Sequence, residues 1–448
     1  MSFQAGFARL AINPELGHPI RGYYIKRNVE GYLDDVEVNA LALKAEEEPV
    51  VFLSLDVCSM AASAADKLRD IVSEKTGLPK GRIAILCTHS HTAPYVSESE
   101  KESEIVRNYF VFLSEQLSKA VTLAIADLKP ARAGWKTGSV PKISHCRRIL
   151  MKDGSIKTNP GTGNPDAVRE MTPVDERVNV LRFDQEGGFT ILIANYGNHP
   201  DSIGGCKVSA DFPGFFRRTF ERAVPNTRCI FWNGCEGDIN FIDVFAKDGD
   251  LNDTKVDFDD VIRGYDHSRY IGESLAGAVL QVHRKVNWFE PVLKVREKTA
   301  ELPANVPTPE EAKEAHRIND LHKAGRDAEI PYRGMMLTTV VAEAARMVRL
   351  EHGPATTPVE LMGMVLGPVA VLGIAGEAFT GVGLRLKADP KFSMVMPVVI
   401  TNGSRGYFPM MDAYEEGGYE ARASRFKAGV AERIAEEGQE LLDTLLEE

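Results

Sequence analysis

The stretch from Pro49 to His91 restricts the fold more than any other part of the chain. It reads as an apolar strand, "PVVFLSLDVCSM", then a helix, "SAADKLRDIVSEKTG", then a second apolar strand, "RIAILCTHSH". In the middle segment Leu68, Ile71 and Val72 share one helical face and Gly77 supplies a stop. Two neighbouring strands joined through a helix run parallel, because a parallel pair needs a crossover. In such sheets ligand-binding groups gather where the strands end, at their carboxyl side. Asp56 and the pair His89 and His91 stand at two such ends.

The alternation continues. A long helix, "EIVRNYFVFLSEQLSKAVTLAIADL", precedes the strands "ARAGWKTGSV", "VNVLRF" and "TILIANYGNHP". "DFPGFFRRTFERAV" is helical, with Pro213 tolerated in the first turn, and "RCIFWNGCEGDIN" is a strand ending in a glycine-punctuated turn. Over 285–350 charged segments such as "TPEEAKEAHRINDLHKAG" and "GMMLTTVVAEAARMVRLEHG" predict a helical insertion. Strands return in "VELMGMVLGPVAVLGIAGE" and "SMVMPVVITNGSRGYFP", and an amphipathic helix follows. Neither a repeat nor a linker interrupts the pattern. The expected fold class is α/β, with mixed, layered sheets flanked by helices, in a single domain over 1–448.

Composition narrows the function. At 44% hydrophobic and 26% charged, the chain is an ordinary globular protein. A net charge of −11 argues against nucleic acid and anionic membranes as partners. No run reaches the ~20 apolar residues of a transmembrane segment. The start, "MSFQAGFARLAINPEL", has neither the basic nor the apolar part of a signal peptide. The six cysteines are scattered without a C-x-x-C pair, which fits reduced thiols. The expectation is a cytoplasmic protein acting on a small molecule, with a homo-oligomer left open.

Four places put a ligand-capable side chain at the end of an apolar strand. In "CTHSHTAP", His89 and His91 are separated by one residue; on an extended strand both would face one point, whereas in a loop they are simply polar. "ANYGNHPDS" presents His199, "LGIAGEAFTG" presents Glu377, and "TNGSRGYFP" presents Tyr407. Each has a structural reading, as a satisfied core histidine, a helix-start carboxylate or a packing tyrosine. Four such placements together argue for a shared site.

Taken in order, "THSHTAP", "NHP", "SADFPG", "GCEGDIN", "GEAFTGVGLRL" and "NGSRGY" resemble the motif set of the neutral/alkaline, non-lysosomal ceramidase family, over nearly the whole chain to about residue 425. The resemblance implies a zinc amidase that cleaves an N-acyl bond. It implies His89, His199, Glu377 and Tyr407 as zinc ligands, Tyr407 lying five residues beyond Asn402. It implies substrate-facing roles for His91 and for Arg147 in "SHCRRIL", Arg148 being the alternative register. The family's Asn-Arg-Ser is Cys146-Arg147-Arg148 here, and Asn240 stands where mammalian members carry a serine. The expectation is a catalytic domain alone, without the immunoglobulin-like C-terminal domain of longer members.

Such a donor set suits Zn²⁺, which takes nitrogen and oxygen ligands and, in catalytic sites, keeps a position for water. The expected reaction is attack of zinc-activated water on an amide carbonyl, the oxyanion stabilised by zinc with His91 or Arg147. Asp56 is expected to orient the His89 imidazole from the adjacent strand. Asp211 is expected to cap the following helix, while Asp238 and Asn240 are pocket candidates without a fixed role. The substrate is expected to be small and soluble rather than ceramide. The alternatives are the same zinc site acting on a polar, sugar-like substrate by hydrolysis or elimination, and an inert zinc-binding relative.

Overall fold

A computed structural model describes residues 3–45, 48–246, 254–255 and 262–447. The main sheet is built from β1 (Gln4–Ala11), β2 (Glu37–Lys44), β3 (Val50–Leu55), β4 (Ile83–Cys87), β5 (Lys129–Ser139), β6 (Arg177–Gln185), β7 (Thr190–Tyr196) and β8 (Thr227–Asn233). Their spatial order is β8-β7-β6-β5-β1-β2-β3-β4, with the short strand Asn287–Phe289 added on β5. A second sheet holds β9 (Leu293–Pro303), β10 (Thr356–Leu366), β11 (Val369–Ile374) and β12 (Met394–Val399), in chain order.

Most neighbours are antiparallel, but three pairs are parallel: β3 with β4, β7 with β8, and β11 with β12. Each is joined by a crossover helix, α1 (Ala62–Thr76), α3 (Asp211–Ala223) and α7 (Thr380–Lys387), whereas α2 (Glu104–Ala126) links β4 to β5. The helix α4 (Tyr265–Val282) lies beside α3, packing Ile271 and Leu275 with Phe212 and Phe216. The crossover expected between Pro49 and His91 is present, and Gly77 ends α1 in the left-handed region at φ 74°.

The two sheets pack face to face. Phe52, Leu86, Leu181, Ile193 and Trp232 of the first meet Met362, Met364, Val371, Met396 and Val398 of the second in one apolar layer. Helices cover the outer faces: Leu68 and Val72 of α1 with Leu113 and Leu117 of α2 on one, and Ile434, Leu441 and Leu445 of the C-terminal helix Val430–Glu447 on the other.

One expectation changes in detail. The insertion expected over 285–350 starts with strands, because Leu293–Pro303 pairs along its whole length with β10. Its charged alternation marks a strand with one open face, and the helical part is confined to α5 (Pro309–Lys323) and α6 (Gly334–Leu350), with a 3₁₀ turn between them. Among the described residues no helix is long and apolar enough to cross a membrane. All six cysteines are free thiols.

Candidate metal centre

All three parallel pairs point their carboxyl ends at one place. His89 follows β4, His199 follows β7, Glu236 follows β8, and Glu377 follows β11. Tyr407 lies in the short strand Tyr407–Phe408, which pairs parallel with Glu377–Ala378 so that Tyr407 stands opposite Glu377. Asparagines hold these ends together. Asn195 donates from Nδ2 to the carbonyls of Trp232 and Pro397, Asn233 to that of Thr88, and Asn402 accepts the Ile85 N–H at 2.9 Å.

His89, His199, Glu236 and Glu377 are all buried, and one ligand atom from each falls within 4.8 Å of the others. His89 Nε2 is 3.1 Å from His199 Nε2, 3.2 Å from His91 Nε2 and 3.5 Å from Glu377 Oε2. The outer nitrogens are engaged. His89 Nδ1 donates to the Cys58 carbonyl at 2.8 Å, and His199 Nδ1 is 2.9 Å from Glu236 Oε2. Fixing the proton on Nδ1 turns the Nε2 lone pairs inward.

Glu236 Oε1 and Glu377 Oε2 are buried without a hydrogen-bond partner. Unpaired buried carboxylate oxygens facing imidazole lone pairs are costly alone. A divalent cation would satisfy all of them, and the nitrogen and oxygen donors fit zinc or a neighbouring transition metal.

Burial, reinforced by His89, Arg147 and His91, holds the His199 pKa well below the ordinary imidazole value, so the ring is neutral. Burial also pushes up the Glu236 carboxyl, against the attraction of His89 and with the help of Glu377. Tyr407 is raised far above an ordinary phenol by burial and then by Glu377.

The sequence-derived residues separate clearly. His89, His199 and Glu377 converge, with His91 beside them; its ring is 4.8 Å from that of His89 and 4.9 Å from that of His199. The strand geometry expected for the histidine pair is absent. His89 sits in the left-handed region at φ 79°, beyond the end of β4, and this turn rather than a pleat brings both rings together. Gly22 packs against the His91 ring, where a Cβ would come within 2.7 Å of the imidazole.

Arg147 reaches the site beside Tyr407, its guanidinium 5.5 Å from the ring centre. It also pairs with buried Glu420 at 2.7 Å and donates to the Gly237 carbonyl. Arg148 instead pairs with Glu416.

Two expectations are corrected, for Asp56 and Asp211, and the partners of Asp238 and Asn240 follow them. Asp56 does not touch His89: its oxygens bind the Arg217 guanidinium and the Glu37 N–H, and the Cys58 carbonyl takes the orienting role. Asp211 begins α3 at φ 54° and binds the Phe212 N–H together with the Ser202 and Ser268 hydroxyls, a local clamp rather than a simple cap. Asp238 accepts from the Thr380 N–H and hydroxyl at the start of α7. Asn240 bonds Asn159 and the Ile242 N–H.

Two carboxylates, Glu236 buried and Asp201 partly buried, escaped the sequence reading. Glu236 has the same signature as Glu377, a carboxylate beside glycine just past an apolar strand, and that signature could have found it. Asp201 lies 3.6 Å from His91 Nδ1 and also holds Tyr23 and Arg263. Burial opposes its ionisation, but Arg263 and then His91 outweigh burial and keep it at about 2.

A cavity of about 1190 Å³ opens onto His89, His91, Glu377 and Tyr407. One wall comes from α6, through Ala342, Ala345, Arg346 and Arg349.

No family model matches the chain, and no curated protein matches it. Solved structures do. The neutral ceramidase from Pseudomonas aeruginosa superposes with a TM-score of 0.73 at 14% identity, covering 99% of this chain and 75% of that one. A ceramidase complexed with C2 superposes with a TM-score of 0.71, also at 14% identity, over 97% of this chain and 74% of that one. The chain has the neutral ceramidase fold. In this ceramidase-like fold the His/Glu cluster occupies the joint carboxyl ends of the three parallel pairs.

Proposed function

We propose that this ceramidase-like chain is a zinc-dependent hydrolase that cleaves an N-acyl amide bond in a small, polar substrate, working as one catalytic unit. The carrying observation is the convergence of His89, His199, Glu236 and Glu377, two of them with partnerless buried carboxylate oxygens. His89, His199 and Glu377 are assigned as ligands, with Tyr407 as a fourth. Glu236 is assigned to His199 Nδ1, whose proton it holds. A zinc ion bound there would supply Lewis acidity to a water and to the amide carbonyl.

The remaining roles belong to the protein. Without a metal, burial and then Glu377 oppose ionisation of the Tyr407 phenol. Arg147, whose guanidinium lies 5.5 Å from the Tyr407 ring centre, is assigned to help stabilise a carbonyl oxygen that gains charge. His91, with Asp201 3.6 Å from its Nδ1, is placed to take a proton at Nε2 and pass it to the departing amine. The polar wall of the cavity, rich in arginine and tyrosine, supports a polar substrate over a ceramide.

The test measures zinc by plasma mass spectrometry in the wild type, His89→Ala and Glu377→Ala, and follows N-acyl amide hydrolysis during chelation and zinc return. Near-stoichiometric zinc in the wild type, lost in both variants, with activity that follows the metal, is expected. A wild type that cannot take up metal would end this reading.

A further inference from the structure

The cavity over the His/Glu cluster carries a charge opposite to that of the chain. Eight arginine or lysine side chains and five carboxylates line it, in a protein with a formal net charge of −11. Several of these cations are already engaged. Arg405 pairs with Glu360 at 2.6 Å, Arg69 pairs with Glu297, and Arg27 donates to backbone carbonyls, including that of His91.

Three are not. Arg21 on the N-terminal loop, Arg349 on α6 and Arg425 ahead of the C-terminal helix have no carboxylate partner among the described residues. Arg21 instead lies over the Tyr95 ring, 5.5 Å from its centre. Arg425 is pushed down to about 10 by burial and by the neighbouring Arg349, Arg405 and Arg21. Guanidinium groups gathered without a counter-charge repel one another, and their planar forks match carboxylate and phosphate oxygens.

Tyrosines lie between the cluster and the metal centre. Tyr24 and Tyr419 line the same cavity as Arg21, Arg349 and Glu377. The Tyr419 ring lies 5.5 Å from that of Tyr407.

We propose that Arg21, Arg349 and Arg425 form an anion subsite, so that the substrate carries a carboxylate or phosphate group away from the amide that is cleaved. This rests on the hydrolase reading for the identity of the reaction, but the subsite binds whether or not the reaction occurs. It uses three separate parts of the chain, and it gives α6 a part in substrate selection.

The test is calorimetric titration of the full-length, zinc-supplied protein with an N-acyl glycine, its neutral amide, and inorganic phosphate. The charged probes are expected to bind the wild type at least about tenfold more tightly than the neutral amide. Arg349→Gln and Arg425→Gln should each weaken charged-probe binding by about tenfold or more, with zinc content unchanged. Comparing N-acyl glycine with phosphate identifies the preferred anion.

Arg349 is exposed, so Arg349→Glu provides a variant whose folding is not at risk, and it should abolish charged-probe binding. Equal binding of charged and neutral probes, or anion binding that survives in the double Gln variant, overturns the subsite. The second of these outcomes would place the anion on the metal. Charge-selective binding without hydrolysis keeps the subsite and removes the hydrolase reading. Equal kcat/KM for charged and neutral amides keeps the hydrolase and removes the subsite.

Discussion

Glu236→Gln should move two properties in opposite directions, and that separates a residue that serves a metal from one that merely packs. Glu236 is fully buried, with one oxygen 2.9 Å from His199 Nδ1 and the other without a partner. In the metal-free protein burial, and then Glu377, push its carboxyl up to about 8, so near neutrality folding makes it take up a proton that the unfolded chain would not hold. Glutamine keeps the shape and removes this cost. Relief of desolvation and repulsion is worth about 1–3 kcal/mol. At ~2.1 cal/mol/K of unfolding entropy per residue, a chain of 448 residues converts this into a rise in Tm of about 1–3 °C.

In the zinc-loaded protein the sign reverses. An amide cannot stabilise the Nδ1 proton of a metal-bound imidazole as a carboxylate does, and losing such a partner costs about 10–100-fold in metal affinity. Scanning calorimetry in chelator and zinc competition against a chromogenic chelator measure the two quantities separately. Glu377→Gln, which removes an assigned ligand, should lose more affinity than Glu236→Gln. A Glu236→Gln protein that melts lower without metal, yet holds zinc as tightly as the wild type, would refute the reasoning.

Two further substitutions probe the charges around the cluster. Asp201 is held at about 2 against an ordinary 3.8, so it contributes stability that is complete above the unfolded value and is lost as pH falls through the folded one. Asp201→Asn should therefore cost about 2 kcal/mol near neutrality, a gap that narrows between about pH 4 and pH 2 in denaturant titrations; a gap constant with pH would contradict this. Glu420→Gln leaves Arg147 buried without its counter-charge and should cost about 3–5 kcal/mol. Glu416→Gln, opposite Arg148 but partly exposed, should cost under about 1 kcal/mol. Equal losses in the same titrations would mean that Arg147 has no special place.

What the sequence made legible was local. Apolar runs, a helical face with a glycine stop, and polar residues at strand ends located the first parallel pair and three of the four clustered side chains. Glu236 carried the same strand-end signature inside "GCEGDIN" and lacked only a reason to single it out. What failed depended on partners far along the chain. Asp56 is claimed by Arg217 on α3, a guanidinium 161 residues away, and nothing near Asp56 announces it. The histidine pair converges for a reason other than the expected one, because a turn at φ 79° replaces the pleat. The strand at 293–303 was hidden by its charged, solvent-facing side.

The joint of the three parallel pairs also bears on how the site is kept in shape. Its members are remote in sequence, with 110 residues between His89 and His199 and 37 between His199 and Glu236, so no unfolded segment carries a ready-made site. A cation binding only the folded chain would stabilise it by mass action, about 4 kcal/mol at a thousandfold excess over Kd. Yet the strand ends do not depend on that cation for their positions. Asn195, Asn233 and Asn402 tie them together with neutral amide bonds that cross between strands and between sheets. Such bonds are insensitive to pH and to metal. The fold therefore keeps Glu236 and Glu377 close, and the strain appears as an upward push on the Glu236 carboxyl rather than as movement of the strands. A preformed cluster of this kind binds its cation without first ordering the chain, and ionisation of Glu236 is coupled to that binding.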